Sequence, residues 1–408
     1  MKLQTPNTHY DFIIAGGGMA GLSLAFYLNQ SQLKNKKILI IDKEPKTLND
    51  RTWCFWEAEE CAFESILYKK WDSVLFGGVS GNLRKLDIGN YKYKMLRGID
   101  FYRFVYESLG KNPNIQFHYS SIKSVNDTRN GAEVITENQT FTANYVFDSV
   151  YKLNLMKQVD SVLNQKQESE TNGNSGRHNL LQHFKGQVIE TTNEVFDPRV
   201  PVMMNFGIEQ QNECRFIYVL PINENKALIE FTLFTENLLT QEEYDAELQT
   251  YIKNQLKIED YTICEEEFGV IPMTDEPTDE FPSERIVRIG TAGGYTNPAT
   301  GYTFSNTQRR LKQIVNQLEK TRNPQIKTPW FQKRHLLYAA ILLNVLKKKR
   351  HSAADVFDKL YLRNPPKRIF KFLDGDTNFF EELLVMNSTP VSKFAAAAID
   401  VIFNSKYF

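Results

Sequence analysis

Two stretches carry residue types and spacings that could do chemistry. In Ala227-Leu-Ile-Glu-Phe-Thr-Leu-Phe234 a single carboxyl stands in an apolar run. Strand alternation puts Leu228, Glu230, Thr232 and Phe234 on one face, and Ala227, Ile229, Phe231 and Leu233 on the other. Both faces are largely apolar, so the strand reads as buried. Desolvation disfavours a carboxylate and raises its pKa, which keeps a proton on Glu230 near neutral pH, as a general acid requires. A buried glutamate paired structurally with a lysine or arginine is the other reading of the same pattern.

The second stretch runs Phe12-Ile-Ile-Ala15 into Gly16-Gly17-Gly18-Met19-Ala20-Gly21 and on to Leu22, Leu24, Ala25 and Leu28. This is a strand, a tight turn and a helix, the opening of a dinucleotide-binding βαβ unit. Gly16 permits the turn, Gly18 lets backbone approach a pyrophosphate, and Gly21 lets helix pack on strand. The helix N-terminus then offers free N–H groups to the phosphates. Ile38-Leu-Ile-Ile41 predicts a second buried parallel strand that ends at Asp42 and Lys43, with Asp42 placed for ribose hydroxyls. The gap from Gly16 to Asp42 exceeds the roughly 20 residues usual for this unit, which a long loop through 30–37 explains. The motif's position near the start of the chain suits a flavoprotein built around FAD.

Further segments bear on the same cofactor. Asn49-Asp-Arg-Thr-Trp-Cys-Phe-Trp-Glu57 reads as a loop, either lying on the flavin with Arg51, Thr52 and Trp53 in contact or anchored as an aromatic cluster. A late strand, Ile286-Val-Arg-Ile, runs into Gly290-Thr-Ala292-Gly293-Gly294, and Pro298 and Gly301 precede a helix over 308–318. That arrangement brings a second set of backbone N–H groups to a phosphate or flavin edge.

These pieces must be positioned by an α/β fold. Periodicity predicts a Rossmann-like FAD-binding domain assembled from 8–75, 97–156 and 281–320, with strands of a second domain over 76–96. Asp100 is the expected N-cap of a helix over 100–109, and 122–141 reads as a β-meander. The polar segment 157–179 reads as a surface loop. An antiparallel substrate domain over 180–280 carries Glu230, and a helical tail spans 325–408.

At 408 residues the chain supports a large core, and 49 basic against 49 acidic residues leave no electrostatic case for nucleic acid. Four cysteines and six histidines show no metal-ligand or disulfide spacing, so no metal site is expected. No apolar run is long enough to span a bilayer, and no cleavable leader is apparent, so a cytoplasmic protein is expected. The 11-residue apolar run Leu336–Leu346, flanked by Lys333-Arg334 and Lys347-Lys-Lys-Arg350, fits either a lipid surface or a buried helix with a solvated basic end.

Taken together, Asp11–Gly21, Asp50-Arg-Thr-Trp-Cys-Phe-Trp56, Phe216-Ile-Tyr-Val-Leu-Pro221, Ala227–Thr232, Ile289–Gly294 and Pro298–Gly301 resemble the FAD-dependent bacterial lycopene β-cyclases. The Asp-Arg-Thr-Trp-Cys-Phe segment is the most specific piece. The resemblance implies that a Leu-x-Glu-x-Thr strand carries the essential acid, here Glu230. Phe231 stands where relatives often have a second carboxylate, leaving Glu230 the sole acid on the strand. It implies an isomerase reaction without net redox: protonation of the C1=C2 bond of a lycopene ψ end, attack by C5=C6, and loss of a ring proton to give β-rings. FAD in its reduced form, kept so by NADPH or NADH, is implied as cofactor, with a peripheral place on the inner face of the membrane. Phe216, Tyr218 and Tyr302 are the expected aromatic lining for the carotenoid. A flavin monooxygenase or prenyl-lipid reductase of the same fold is the first alternative, although aromatic hydroxylases usually carry Gly-Asp where this chain has Gly290-Thr291. A non-enzymatic prenyl-lipid binder is the second.

Overall fold

The computed structural model describes residues 9–151, 177–327 and 333–404. The expected loop at 157–179 lies outside the described residues up to 176, and Asn179 already begins a strand.

The first sheet has a parallel core ordered β8 (Ile115–Tyr119), β2 (Ile38–Asp42), β1 (His9–Ala15) and β11 (Thr140–Asp148). The meander supplies β9 (Ile122–Thr128) and β10 (Gly131–Thr136), which extend it antiparallel from β11. Far along the chain, β17 (Ile286–Arg288) returns to pair with β11 in parallel. Phe12–Ala15 of β1 and Ile38–Ile41 of β2 are apolar without a break because both faces are covered there. On one side Ile14 and Ile40 meet Leu22 and Leu24 of α1 (Met19–Asn29), Phe101 and Val105 of α2 (Gly98–Leu109), and Leu311 and Val315 of α4 (Phe304–Thr321). On the other, Ile13, Leu39 and Ile41 pack on Val134 and Phe141. Asp100 is not the cap of α2. The helix starts earlier, because the Gly98 N–H is held by the Arg51 carbonyl at 2.8 Å, and Asp100 falls inside its first turn.

The second sheet has seven strands, ordered β16 (Thr262–Thr274), β12 (Asn179–Glu190), β15 (Lys226–Thr235), β14 (Cys214–Pro221), β13 (Val202–Asn205), β5 (Ser73–Gly77) and β6 (Leu83–Asp87). Only the β13–β5 pair is parallel. One face buries Ile217, Ile229, Phe231 and Leu233 under Tyr244, Leu248 and Ile252 of α3 (Gln241–Asn254). The other holds Phe216, Leu220, Leu228 and Phe234 against Leu343 of α5 (Lys333–Lys347), Phe357 of α6 (Ala353–Arg363) and Phe370 of α7 (Pro366–Leu373).

The segment read as an aromatic loop is a strand, β3 (Thr52–Glu57), in a small sheet ordered β3, β7 (Lys92–Arg97), β4 (Lys69–Trp71). Its alternation is the reason: Trp53 and Phe55 pack into the core of the first sheet, Cys54 and Trp56 into that of the second. One strand thus joins the two cores.

Candidate active site

A cavity of about 460 Å³ runs from the glycine turn to the Glu230 carboxyl. At one end Gly18, Met19 and Ala20 line it, with Gly290 and Gly301 beside them; Arg51, Thr52 and Trp53 form a side wall; Tyr218, Glu230 and Tyr302 form the far end. The two stretches singled out by their residue types therefore open onto one space.

The turn is shaped as its glycines require. Gly16 has φ +101°, and a Cβ on Gly21 would stand 2.0 Å from the Gly16 carbonyl oxygen. At Gly18 a Cβ would meet nothing within 4 Å, so backbone borders open space there. α1 has no side-chain N-cap and no acidic residue in its first turn, which leaves its leading N–H groups available to an anion. Asp42 braces the turn: its carboxylate accepts the Gly17 N–H at 2.7 Å and the Lys43 N–H at 2.6 Å. One lone pair on each oxygen stays free for a ribose hydroxyl. Lys43 itself turns to Glu44 at 3.2 Å on the exposed side.

The second turn closes against the first. Gly290 has φ +63°, and a Cβ there would lie 2.7 Å from that of Ala20. Ala292 and Gly293 are buried in the short turn Gly290–Gly293, and Pro298 precedes Gly301; none of the three lies on the cavity wall. Gln182 Oε1 and Thr300 Oγ1 are buried without a partner among the described residues, and both residues line the cavity. An open glycine cradle, uncapped N–H groups and unpartnered polar atoms fit a dinucleotide with a polar ring system.

At the far end, Glu230 is part-exposed, and the cavity is what it faces. Thr232, two residues on along the same face, donates its hydroxyl to Glu230 Oε1 at 2.9 Å. Burial, with the nearby Glu267 carboxyl second, holds Glu230 well above the usual carboxylate range. The Tyr218 and Tyr302 phenols are pushed up by burial too, so they stay neutral. Leu220, Leu228 and Phe184 keep this end apolar. Phe216 does not line it: the ring sits in the core behind, 5.4 Å from the rings of Tyr218 and Phe234.

Glu230 is the sole acid on β15, as expected, but not the sole carboxyl nearby. Position 231 faces α3 on the opposite side of the sheet, so a carboxylate there would not reach this cavity. The second carboxylate comes instead from Glu267 on β16, which reading β15 by itself could not supply. The signal was there in part. Glu265-Glu-Glu267 on one strand must turn at least one acid inward, and a lone glycine inside a strand, Gly186, marks a close approach. Glu267 is buried, whereas Glu265 and Glu266 are not.

Comparison with known proteins follows this geometry. The family model described as Lycopene cyclase protein matches residues 11–399. A lycopene beta-cyclase of Pantoea ananas is 23% identical over 310 residues, 72% of this chain and 71% of that one. The chloroplastic lycopene beta cyclase of Arabidopsis thaliana is 24% identical over 75% of this chain, which spans 59% of its length. Among solved structures, a geranylgeranyl bacteriochlorophyll reductase-like protein from Thermoplasma acidophilum shares the fold, with a TM-score of 0.64, 14% identity and coverage of 96% of this chain and 99% of that one. A flavin-dependent brominase gives a TM-score of 0.61 at 14% identity, over 95% and 100% of the two chains.

Proposed function

The chain belongs to the lycopene cyclase family, and on that premise we propose that it converts the ψ ends of lycopene, or a related acyclic carotenoid, to β-rings with FAD bound in the glycine cradle. The observation that carries this is the cavity joining the uncapped N-terminus of α1 to a carboxyl in apolar surroundings, which burial holds well above the usual carboxylate range. Gly18 and Gly290 would hold the pyrophosphate side of the cofactor, and Arg51 and Trp53 would flank its ring. In its reduced form, with NADPH or NADH as the source of electrons, FAD would supply negative charge beside a cationic reaction centre.

The residues of the chain do the rest. Glu230 holds a proton at its carboxyl and delivers it to the C1=C2 double bond. Thr232 fixes the carboxyl by its hydrogen bond to Oε1. The neutral faces of Tyr218 and Tyr302 stabilise positive charge through their π systems, which a charged neighbour in this position would not do without desolvation cost. Leu220 and Leu228 keep water from capturing the cation. The test is anaerobic incubation with lycopene and chemically reduced FAD. Cyclised product of unchanged mass with β-rings supports the reading; a strict requirement for oxygen, as in a monooxygenase, removes it.

A substrate of this kind partitions into lipid, and the surface suited to a membrane is not the basic-flanked run. α5 is largely buried: Leu343 lies in the core, Lys347 pairs with Glu236, and Lys348 and Arg350 pair with Asp400. Exposed apolar side chains gather instead on α8 (Phe379–Ser388) and α9 (Val391–Asn404), among them Phe380, Leu384, Ile399 and Phe403. Phe380 and Phe403 are 77% and 79% exposed, and it is their grouping with the other apolar side chains of these helices that suits a docking surface. No helix among the described residues is long and apolar enough to cross a membrane, so the proposed mode is docking of these two helices on the bilayer's cytoplasmic surface.

A further inference from the structure

Strand β12 lies between β15 and β16, and its Gly186 stands opposite Glu230 on one side and Glu267 on the other. Residues directly opposite across neighbouring strands project from the same face. The two glutamates therefore rise on either side of a residue with no side chain, and Glu267 leans over it. A Cβ on Gly186 would stand 3.0 Å from Glu267 Cγ, 3.4 Å from Glu267 Oε1 and 3.0 Å from Leu228 Cδ1. Each carboxyl bears on the other's titration, so the two stand within reach of one another. Glu267 Oε2 accepts the Thr52 hydroxyl at 2.8 Å, whereas Oε1 is buried with no other donor among the described residues. Glu267 is not on the cavity wall; Glu230 is.

We propose that Glu267, acting through Glu230 rather than on the substrate, is the positioning residue that keeps one proton between the two carboxyls, with Gly186 as the gap that lets them meet. This rests on the cyclase reading of the site. Two carboxyls in contact do not both ionise, so the pair retains one proton to higher pH than either would alone. The surrounding groups reinforce this. Cys54 on β3, Tyr93 on β7, Tyr218 on β14 and Tyr302 face Glu230, all held neutral by burial. Facing Glu267 are the Arg51 guanidinium, which favours its ionised form, and Glu265, which opposes it. Burial raises both carboxyls; the Thr52 hydroxyl and the Arg51 guanidinium favour an ionised Glu267, which on this proposal leaves the shared proton to Glu230.

The cycle balances on this pair. The Glu230 O–H bond breaks as a C–H bond forms at C2 of the substrate, and the C5=C6 electron pair forms the ring bond to C1. The C6–H bond then breaks, its electrons become the new C5=C6 double bond, and the proton returns to the carboxyl pair. The pair ends as it began, and no external acid is consumed.

Glu267→Gln keeps the shape and hydrogen-bonding reach but removes the charge, and its amide N–H stabilises ionised Glu230. The expected result is an alkaline limb of kcat/KM for lycopene that moves about one pH unit or more toward acid, with KM within about twofold. Glu267→Asp, which retains the charge, moves the limb back toward wild type, as a merely structural role would not. Infrared spectra give a readout independent of turnover. A protonated-carboxyl C=O band is expected in the wild type at neutral pH, absent in Glu230→Gln, and in Glu267→Gln present only at lower pH. Gly186→Ala, which forces Glu267 aside, should shift the band in the same direction and serves if Glu267→Gln does not fold. An unchanged band and limb in folded Glu267→Gln overturn the proposal. A wild type that shows the band, with the shift in Glu267→Gln, but cyclises no lycopene keeps the carboxyl pair and removes the cyclase reading, so the two failures are separable.

Discussion

A carboxyl that protonates a carbon–carbon double bond has to stay dry enough to keep its proton and open enough to reach the substrate. Glu230 meets both demands by facing a cavity whose walls are protein. Glu230→Gln should fold and retain FAD while cyclisation falls by about 10²–10⁴-fold, measured as product per bound flavin. Near-normal turnover would reassign the acid. The same group makes a prediction about stability. Its folded pKa is raised, so its favourable contribution is complete below the unfolded carboxyl value of about 4.3 and is lost as pH rises through the folded value. The wild type should therefore lose Tm relative to Glu230→Gln as pH increases from about 4.3 upward, read from melting curves across pH. Glu230 was legible because strand alternation and local hydrophobicity are written in adjacent residues. Its partner was not: Glu267 lies 37 positions away, and its relation to Glu230 exists only across β12.

At the scale of elements, the turn between β1 and α1 separates two uses of glycine. Gly21 serves the packing of helix on strand, since a Cβ there would collide with the Gly16 carbonyl. Gly18 borders open space, and its φ of −81° suits any residue. Gly18→Ala should leave the melting temperature of the flavin-free protein unchanged but weaken FAD binding by roughly tenfold or more, about 1.4 kcal/mol. Gly21→Ala should destabilise the flavin-free protein itself by about 1–3 kcal/mol. Calorimetry and flavin titration distinguish the two, and equal effects of both variants on stability would contradict the cradle. Other element-level expectations met tertiary forces. α2 starts at Gly98 rather than at an Asp100 cap because Arg51 supplies a carbonyl at its entrance. The segment from Thr52 reads locally as an aromatic loop, yet two hydrophobic cores, one on each side, make it a strand.

At the scale of the molecule, three sheets and a helical tail leave apolar side chains of α8 and α9 uncovered among the described residues. Replacing Phe380 and Phe403 together by serine should reduce co-sedimentation with liposomes by tenfold or more, because each exposed phenylalanine inserted in lipid is worth roughly 1.5–3 kcal/mol. Charge reversal at Lys347 and Lys348 should act weakly by comparison, since their charges already face Glu236 and Asp400. Equal membrane binding by the double serine variant would dismiss α8 and α9 as the docking face. Sequence hydropathy left 336–346 open between a lipid surface and a buried helix because it counts apolar residues without regard to what covers them. In the folded chain α5 supplies core, and the shorter, less uniformly apolar helices remain bare.

By itself the sequence determined the glycine turn, the parallel strands that flank it and the acid on a strand apolar on both faces. Each is a pattern of neighbours in the chain, imposed by backbone sterics and by side-chain alternation. Only the tertiary structure decided that these features share one cavity, that Glu230 and Glu267 flank Gly186, and that α8 and α9 rather than α5 meet solvent with their apolar sides. Those outcomes depend on the order of strands in a sheet and on which faces are already buried. Residues distant in sequence settle both, by competing for the same core.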